Sequence, residues 1–156
     1  MVANTSRNKE GHPSNNEFYT PPWVFEKLGL TFDLDVCAPC GGVPWIPAKH
    51  HWCILNDGLQ QKWYGKVWMN PPYSKPSPWI DKFIENGNGI ALVPVTTGMW
   101  FDKIWEAADA VVIDKYNQKF ERPDGTRKMI MFRTMYAAIG EENVEALRRL
   151  EVGKLR

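Results

Sequence analysis

Asn70-Pro71-Pro72-Tyr73 is the segment of this sequence whose residue types and order carry the most chemistry. An amine conjugated to a purine ring, such as the N6 amine of adenine, is a weak nucleophile because its lone pair is delocalised into the ring. Two acceptors aimed at its two hydrogens, the Asn70 amide oxygen and the Pro71 carbonyl, favour a tetrahedral nitrogen and return the lone pair to it. Fixed dipoles of this kind act where charge develops in the transition state. The two prolines hold φ at about −65° and supply no N–H, so the loop is rigid and rich in acceptors. Tyr73 offers a face for stacking on a base drawn out of a duplex, since the amine is out of reach inside the helix. The bland use of the same four residues is a Pro-Pro turn capped by an asparagine.

An element must present that loop. Lys66-Val-Trp-Met69 reads as a short apolar strand that ends on Asn70, and open α/β sheets bind their ligands beyond such strand ends. Leu30 to Val36 alternates polar and apolar residues, which predicts a strand delivering Asp35 to the loop Ala38-Pro-Cys-Gly-Gly42. Thr20-Pro21 predicts a helix start, with the hydroxyl as cap and proline in the first helical position, running past Trp23, Val24 and Leu28 to a stop at Gly29. Pro44 and Pro47 predict irregular chain before a strand over Trp52 to Leu55. Pro76 and Pro78 extend the loop to a helix beginning at Trp79 and reaching Glu85. A strand over Ile90 to Val95, a helix over Met99 to Ala108 and a strand over Ala110 to Ile113 follow. Asp124-Gly125, between Phe120 and Met129-Ile-Met-Phe132, predicts a hairpin that closes the sheet antiparallel. Glu141 and Glu142 open a last helix with Val144, Leu147 and Leu150 on one face. The alternation predicts an α/β three-layer sandwich with a mostly parallel sheet and an antiparallel terminal hairpin. Residues 17–156 form this single domain, behind a polar arm of residues 1–16 that lacks any apolar period.

Composition sets the limits. With a formal net charge of +1 the chain has no basic field over its whole surface, so any nucleic-acid contact must come from local patches. Lys62, Lys66, Lys75 and Lys82 flank the Asn-Pro-Pro-Tyr segment; Lys115, Lys119, Arg122, Arg127, Lys128 and Arg133 gather around the hairpin, interleaved with Asp114, Glu121 and Asp124. Eight tryptophans are many for this length, and packing is their first use, stacking their second. No stretch approaches the ~20 apolar residues that cross a bilayer, and the first residues have no signal-peptide core, which predicts a cytoplasmic protein with no membrane partner. Three cysteines make a poor disulfide framework, so thiols are expected. Cys37, Cys40 and Cys53 with His50 or His51 have the donor types of a structural zinc site, which would make the chain a non-catalytic nucleic-acid-binding module. Cys37 lies in the loop after the first strand, however, and no metal is expected. His12 reads as solvated.

The ordered set Glu17-Phe-Tyr-Thr-Pro21, Phe32-Asp-Leu-Asp-Val-Cys-Ala38, Asn56-Asp-Gly-Leu59, Trp63 and Asn70-Pro-Pro-Tyr-Ser74 resembles the compact phage-type DNA N6-adenine methyltransferases, over roughly residues 17 to 133. The resemblance implies a Rossmann-like methyltransferase fold, S-adenosylmethionine as cofactor and methyl transfer to adenine N6 in duplex DNA with the base flipped out. It implies that Asn70, Pro71, Pro72 and Tyr73 are catalytic. Thr20 and Pro21 would lie beside the methionine part of the cofactor, Asp35 and Gly41 in its binding loop, and Asp57 on its adenine amine. Lys75, Lys119, Arg122, Arg127 and Lys128 are the expected DNA contacts. The same amide geometry would serve an RNA base or a protein glutamine. Two departures stand out: the loop from Asp35 to Gly42 has no Gly-x-Gly, and between Val43 and Asn56 no carboxylate is present for ribose hydroxyls.

Overall fold

Strands β3 (Val67–Met69) and β4 (Gly89–Pro94) are buried at every residue, which a strand needs when helices cover both faces of its sheet. The computed structural model describes residues 18–156; the arm expected over 1–16, with His12, and Glu17 lie outside the described residues. A six-stranded sheet has the order β2-β1-β3-β4-β8-β5, where β1 is Phe32–Asp35, β2 Ala48–His51, β5 Ala110–Ile113 and β8 Thr134–Ile139. The β2, β1, β3 and β4 neighbours are parallel, and β8 runs antiparallel between β4 and β5.

Alternate residues sort onto two cores. Trp68, Ile90, Leu92, Val112 and Tyr136 pack with Val24, Phe25 and Leu28 of α1 (Pro22–Leu28) and with Ala146 and Leu147 of α4 (Glu141–Arg148). Val67, Met69, Ala91, Val93, Val111 and Met135 pack on the other face with Ile80 and Phe83 of α2 (Ser77–Asn86) and Ile104 of α3 (Met99–Ala107). Each of the larger aliphatic and Phe side chains among them contributes roughly 1.5–3 kcal/mol of transfer free energy, and the period of two along each strand produces the three layers.

Four boundaries differ from expectation. Thr20 does not cap α1: Pro21 is the N-cap residue, Pro22 takes the first helical position and no side chain caps the helix. Trp52 to Leu55 is not a strand; β2 lies just before it, and its Ala-Lys-His-His has no apolar signature because it is a half-exposed to exposed edge. Helix α2 begins at Ser77, before Pro78, since a missing N–H costs nothing in a first turn. The hairpin, β6 (Lys119–Glu121) and β7 (Arg127–Met129), does not close the main sheet but forms its own two-stranded sheet. The antiparallel member of the main sheet is β8, whose Met-Tyr-Ala-Ala-Ile run has no period that separates strand from buried helix. Among the described residues no helix is long and apolar enough to cross a membrane.

Candidate active site

After β1 the chain adds β2 on one side and then β3 on the other, so the strand order reverses between β1 and β3. A crevice opens beyond the carboxyl ends of strands at such a switch point. Asp35 is the last residue of β1 and pairs with Trp68, two residues before Asn70. The two sequence-predicted polar residues thus stand on neighbouring strand ends.

Asn70 is 2% exposed, and its Nδ2 donates to Oγ1 of Thr20, itself 1% exposed, at 3.4 Å. Thr20 reaches the site because the segment ahead of α1 is pinned: its carbonyl accepts from Trp45 Nε1 at 2.8 Å, and Tyr19 exchanges two backbone bonds with Glu121 of β6. Pro71 and Pro72 are buried and Tyr73 half-buried. The Tyr73 hydroxyl donates to the Leu92 carbonyl at 3.5 Å, and its ring meets Phe132 edge-on at 6.2 Å. The tyrosine is therefore held through both its hydroxyl and its ring.

Asp35 is 3% exposed and accepts a bond from the Cys37 N–H at 3.3 Å. Burial pushes its pKa up to about 7, against the weaker opposite pull of that N–H. A carboxyl shifted this far in a ligand crevice is a functional-site signal.

Asp57 sits on the next loop with φ at 53°, its Oδ1 accepting from the Leu59 N–H at 3.3 Å. The loop closes tightly on the chain just past β1 because position 58 is glycine: a Cβ there would collide with the Val36 carbonyl oxygen. Trp52, Ile54 and Trp79 with Asp57 wall a cavity of about 250 Å³. Sequence reading missed these three apolar walls. The abundance of tryptophan was visible, but no spacing joins residues on a loop after β2 to one in α2.

The cysteines correct an expectation. Cys40 and Cys53 form a disulfide with Cα atoms 5.0 Å apart, while Cys37 is buried outside it. Backbone bonds from Ala38 N to Trp52 O and from Trp52 N to Asp35 O fold the two loops together, which a separation of 13 residues in sequence conceals. The zinc set is thereby dismantled, and no group of three metal-ligating side chains occurs among the described residues. Gly41, exposed with φ at 96°, lies inside this tied loop with open space about it.

A family model for DNA N-6-adenine-methyltransferase (Dam) matches residues 8–131. The chain belongs to this family. The DNA N-6-adenine-methyltransferase of Haemophilus phage HP1 (strain HP1c1) is 30% identical over 110 residues, covering 60% of this chain and 58% of the phage protein. The chain thus matches little more than half the length of that Dam relative. No solved structure matches it.

The remaining Dam-family expectation concerns the cations. Lys75, Lys119, Arg127 and Lys128 are exposed, though Arg127 Nε is bonded to Glu121 at 2.8 Å. Arg122 is half-buried with its guanidinium over the Phe18 ring at 5.6 Å, so it packs the hairpin down rather than facing outward. Pro21 is the N-cap residue of α1, and as a proline it disfavours helical backbone at Thr20 before it.

Proposed function

We propose that the protein transfers the methyl group of S-adenosylmethionine to the N6 amine of an adenine flipped out of duplex DNA, on a Rossmann-like methyltransferase sheet. The observation that carries this reading is the buried Asn70 amide at the carboxyl end of β3, across the switch point from Asp35. Asn70 Oδ1 and the Pro71 carbonyl accept the two N6 hydrogens, which localises the lone pair for attack. Pro72 keeps that carbonyl direction fixed, and Tyr73 stacks on the extruded base.

The residues present fit the cofactor. A mostly apolar cavity lined by Trp52, Trp79 and Ile54 together with the exposed Asp57 carboxylate has the chemistry to hold an adenine ring and its amine. Asp57 would accept from that amine, Asp35 and Gly41 would line the path to the methionine part, and Thr20 and Pro21 would border it. When bound, the cofactor supplies an electrophilic methyl group on sulfur. Lys75, Lys119, Arg127 and Lys128 would hold phosphates, which positions a duplex without reading its sequence. The reaction belongs in the cytoplasm, where such DNA lies.

Purified protein incubated with S-adenosylmethionine and DNA from a host lacking adenine methylation should produce N6-methyladenine, detected by mass spectrometry after digestion. Methylation only of cytosine, of RNA or of protein would refute the assignment.

A further inference from the structure

The bond between Thr20 and Asn70 has a consequence for catalysis. A primary amide is nearly symmetric in shape, and turning it over exchanges an acceptor for a donor. An Asn70 turned the wrong way would present N–H groups to the N–H groups of the target amine, and the loop would repel its substrate. Something must therefore choose the orientation.

We propose that Thr20 is a positioning residue whose hydroxyl holds Nδ2 of Asn70 and so turns the amide oxygen toward the target amine; the inference rests on the methyl-transfer reading above. Both side chains are almost wholly buried, so solvent does not compete for the 3.4 Å bond between them. The hydroxyl is not consumed by the helix behind it, because α1 has no side-chain cap. Its backbone is fixed on both sides by the Trp45 indole on the Thr20 carbonyl at 2.8 Å and by the paired Tyr19–Glu121 bonds at 2.7 and 2.9 Å. The prolines at 21 and 22 stiffen the chain that follows. This assigns the Thr20 hydroxyl to the orientation of the acceptor and leaves the cofactor border to the rest of the residue, which Thr20→Val preserves.

The test is single-turnover methyl transfer with saturating DNA and cofactor, paired with calorimetric binding of S-adenosylhomocysteine. Thr20→Val keeps the shape and removes the hydroxyl; its rate should fall roughly 10- to 50-fold, less than the loss from deleting a preoriented polar group outright, while product affinity stays within about twofold. Thr20→Ser should recover the rate to within about threefold. In an Asn70→Ala background Thr20→Val should cost nothing further, because the group it orients is gone. If Thr20→Val fails to fold, Thr20→Ala against Thr20→Ser gives the same contrast.

An active wild type whose Thr20→Val rate stays within about twofold overturns the role of Thr20 alone, as does a loss that appears equally in product affinity or adds to that of Asn70→Ala. A wild type that leaves adenine unmethylated overturns the reading beneath it.

Discussion

The β1–β3 switch point and the β6–β7 hairpin lie at the same end of the sheet, since the hairpin leads into Thr134, which pairs with Pro94 at the carboxyl end of β4. They are built in opposite ways. At the switch point Thr20, Asp35 and Asn70 are each 3% exposed or less and locked by hydrogen bonds. On the hairpin the strands are three residues long, most side chains face solvent, and one cation is already paired with Glu121. Localising a lone pair needs dipoles that do not move, whereas holding phosphate needs only charge within reach. On the proposed reading, rigidity is concentrated where the chemistry requires it.

The sharpest way to break this contrast is at Asn70. Asn70→Ala should lower kcat by roughly 10²- to 10³-fold, the loss typical of one preoriented polar group, with cofactor affinity little changed in a parallel titration. A normal rate would reduce the amide to a loop cap. Tyr73 should respond differently if, as proposed, it stacks on the base rather than meeting the reacting nitrogen. Tyr73→Ala should lose about 1–3 kcal/mol of DNA binding along with rate, and Tyr73→Trp should keep much of both, as read by fluorescence anisotropy and turnover.

Asp35 offers a test through pH. Its carboxyl has a pKa of about 7 in the fold against 3.8 in model compounds. Below both values folded and unfolded chains are protonated alike and the group costs no stability. As pH rises between them the unfolded chain gives up its proton first, so stability falls until about pH 7 and is level beyond. The cofactor-free Asp35→Asn protein should therefore melt higher than the parent at about pH 8 and the same at about pH 3, below both values, while binding the cofactor roughly tenfold more weakly. Identical melting at both pH values would mean that Asp35 is solvated. The smallest effect belongs to the hairpin: Lys119→Ala and Lys128→Ala should each weaken DNA binding a few-fold and reduce the slope of log affinity against log salt by about 1. Unchanged slopes would move the phosphate contacts elsewhere.

How legible the two regions were follows from what each is made of. The switch-point residues announced themselves because Asn70-Pro-Pro-Tyr73 follows an apolar strand and Asp35 lies at the end of an alternating one, and a local pattern was enough to place them. The Thr20–Asn70 bond was hidden, since it joins residues 50 apart through a segment whose obvious local use was a helix cap. The disulfide was hidden likewise, and β2 because an edge strand need not be apolar. At the hairpin the Asp124-Gly125 turn was plain. Its detachment from the main sheet was not, because β8 carries no turn chemistry to mark where it inserts. The cation cluster was readable by composition alone, which could not tell Lys128, exposed, from Arg122, folded onto Phe18.

One measurement bears on the whole contrast: single-turnover methyl transfer to duplex DNA as a function of DNA concentration, for Asn70→Ala beside the Lys119→Ala, Lys128→Ala double variant. Rigid chemistry at the switch point and loose holding at the hairpin predict that saturating DNA restores the double variant to the parental rate and leaves Asn70→Ala depressed by roughly 10²-fold or more. A double variant that stays slow at saturation while Asn70→Ala recovers would contradict the division of labour and move the chemistry to the hairpin.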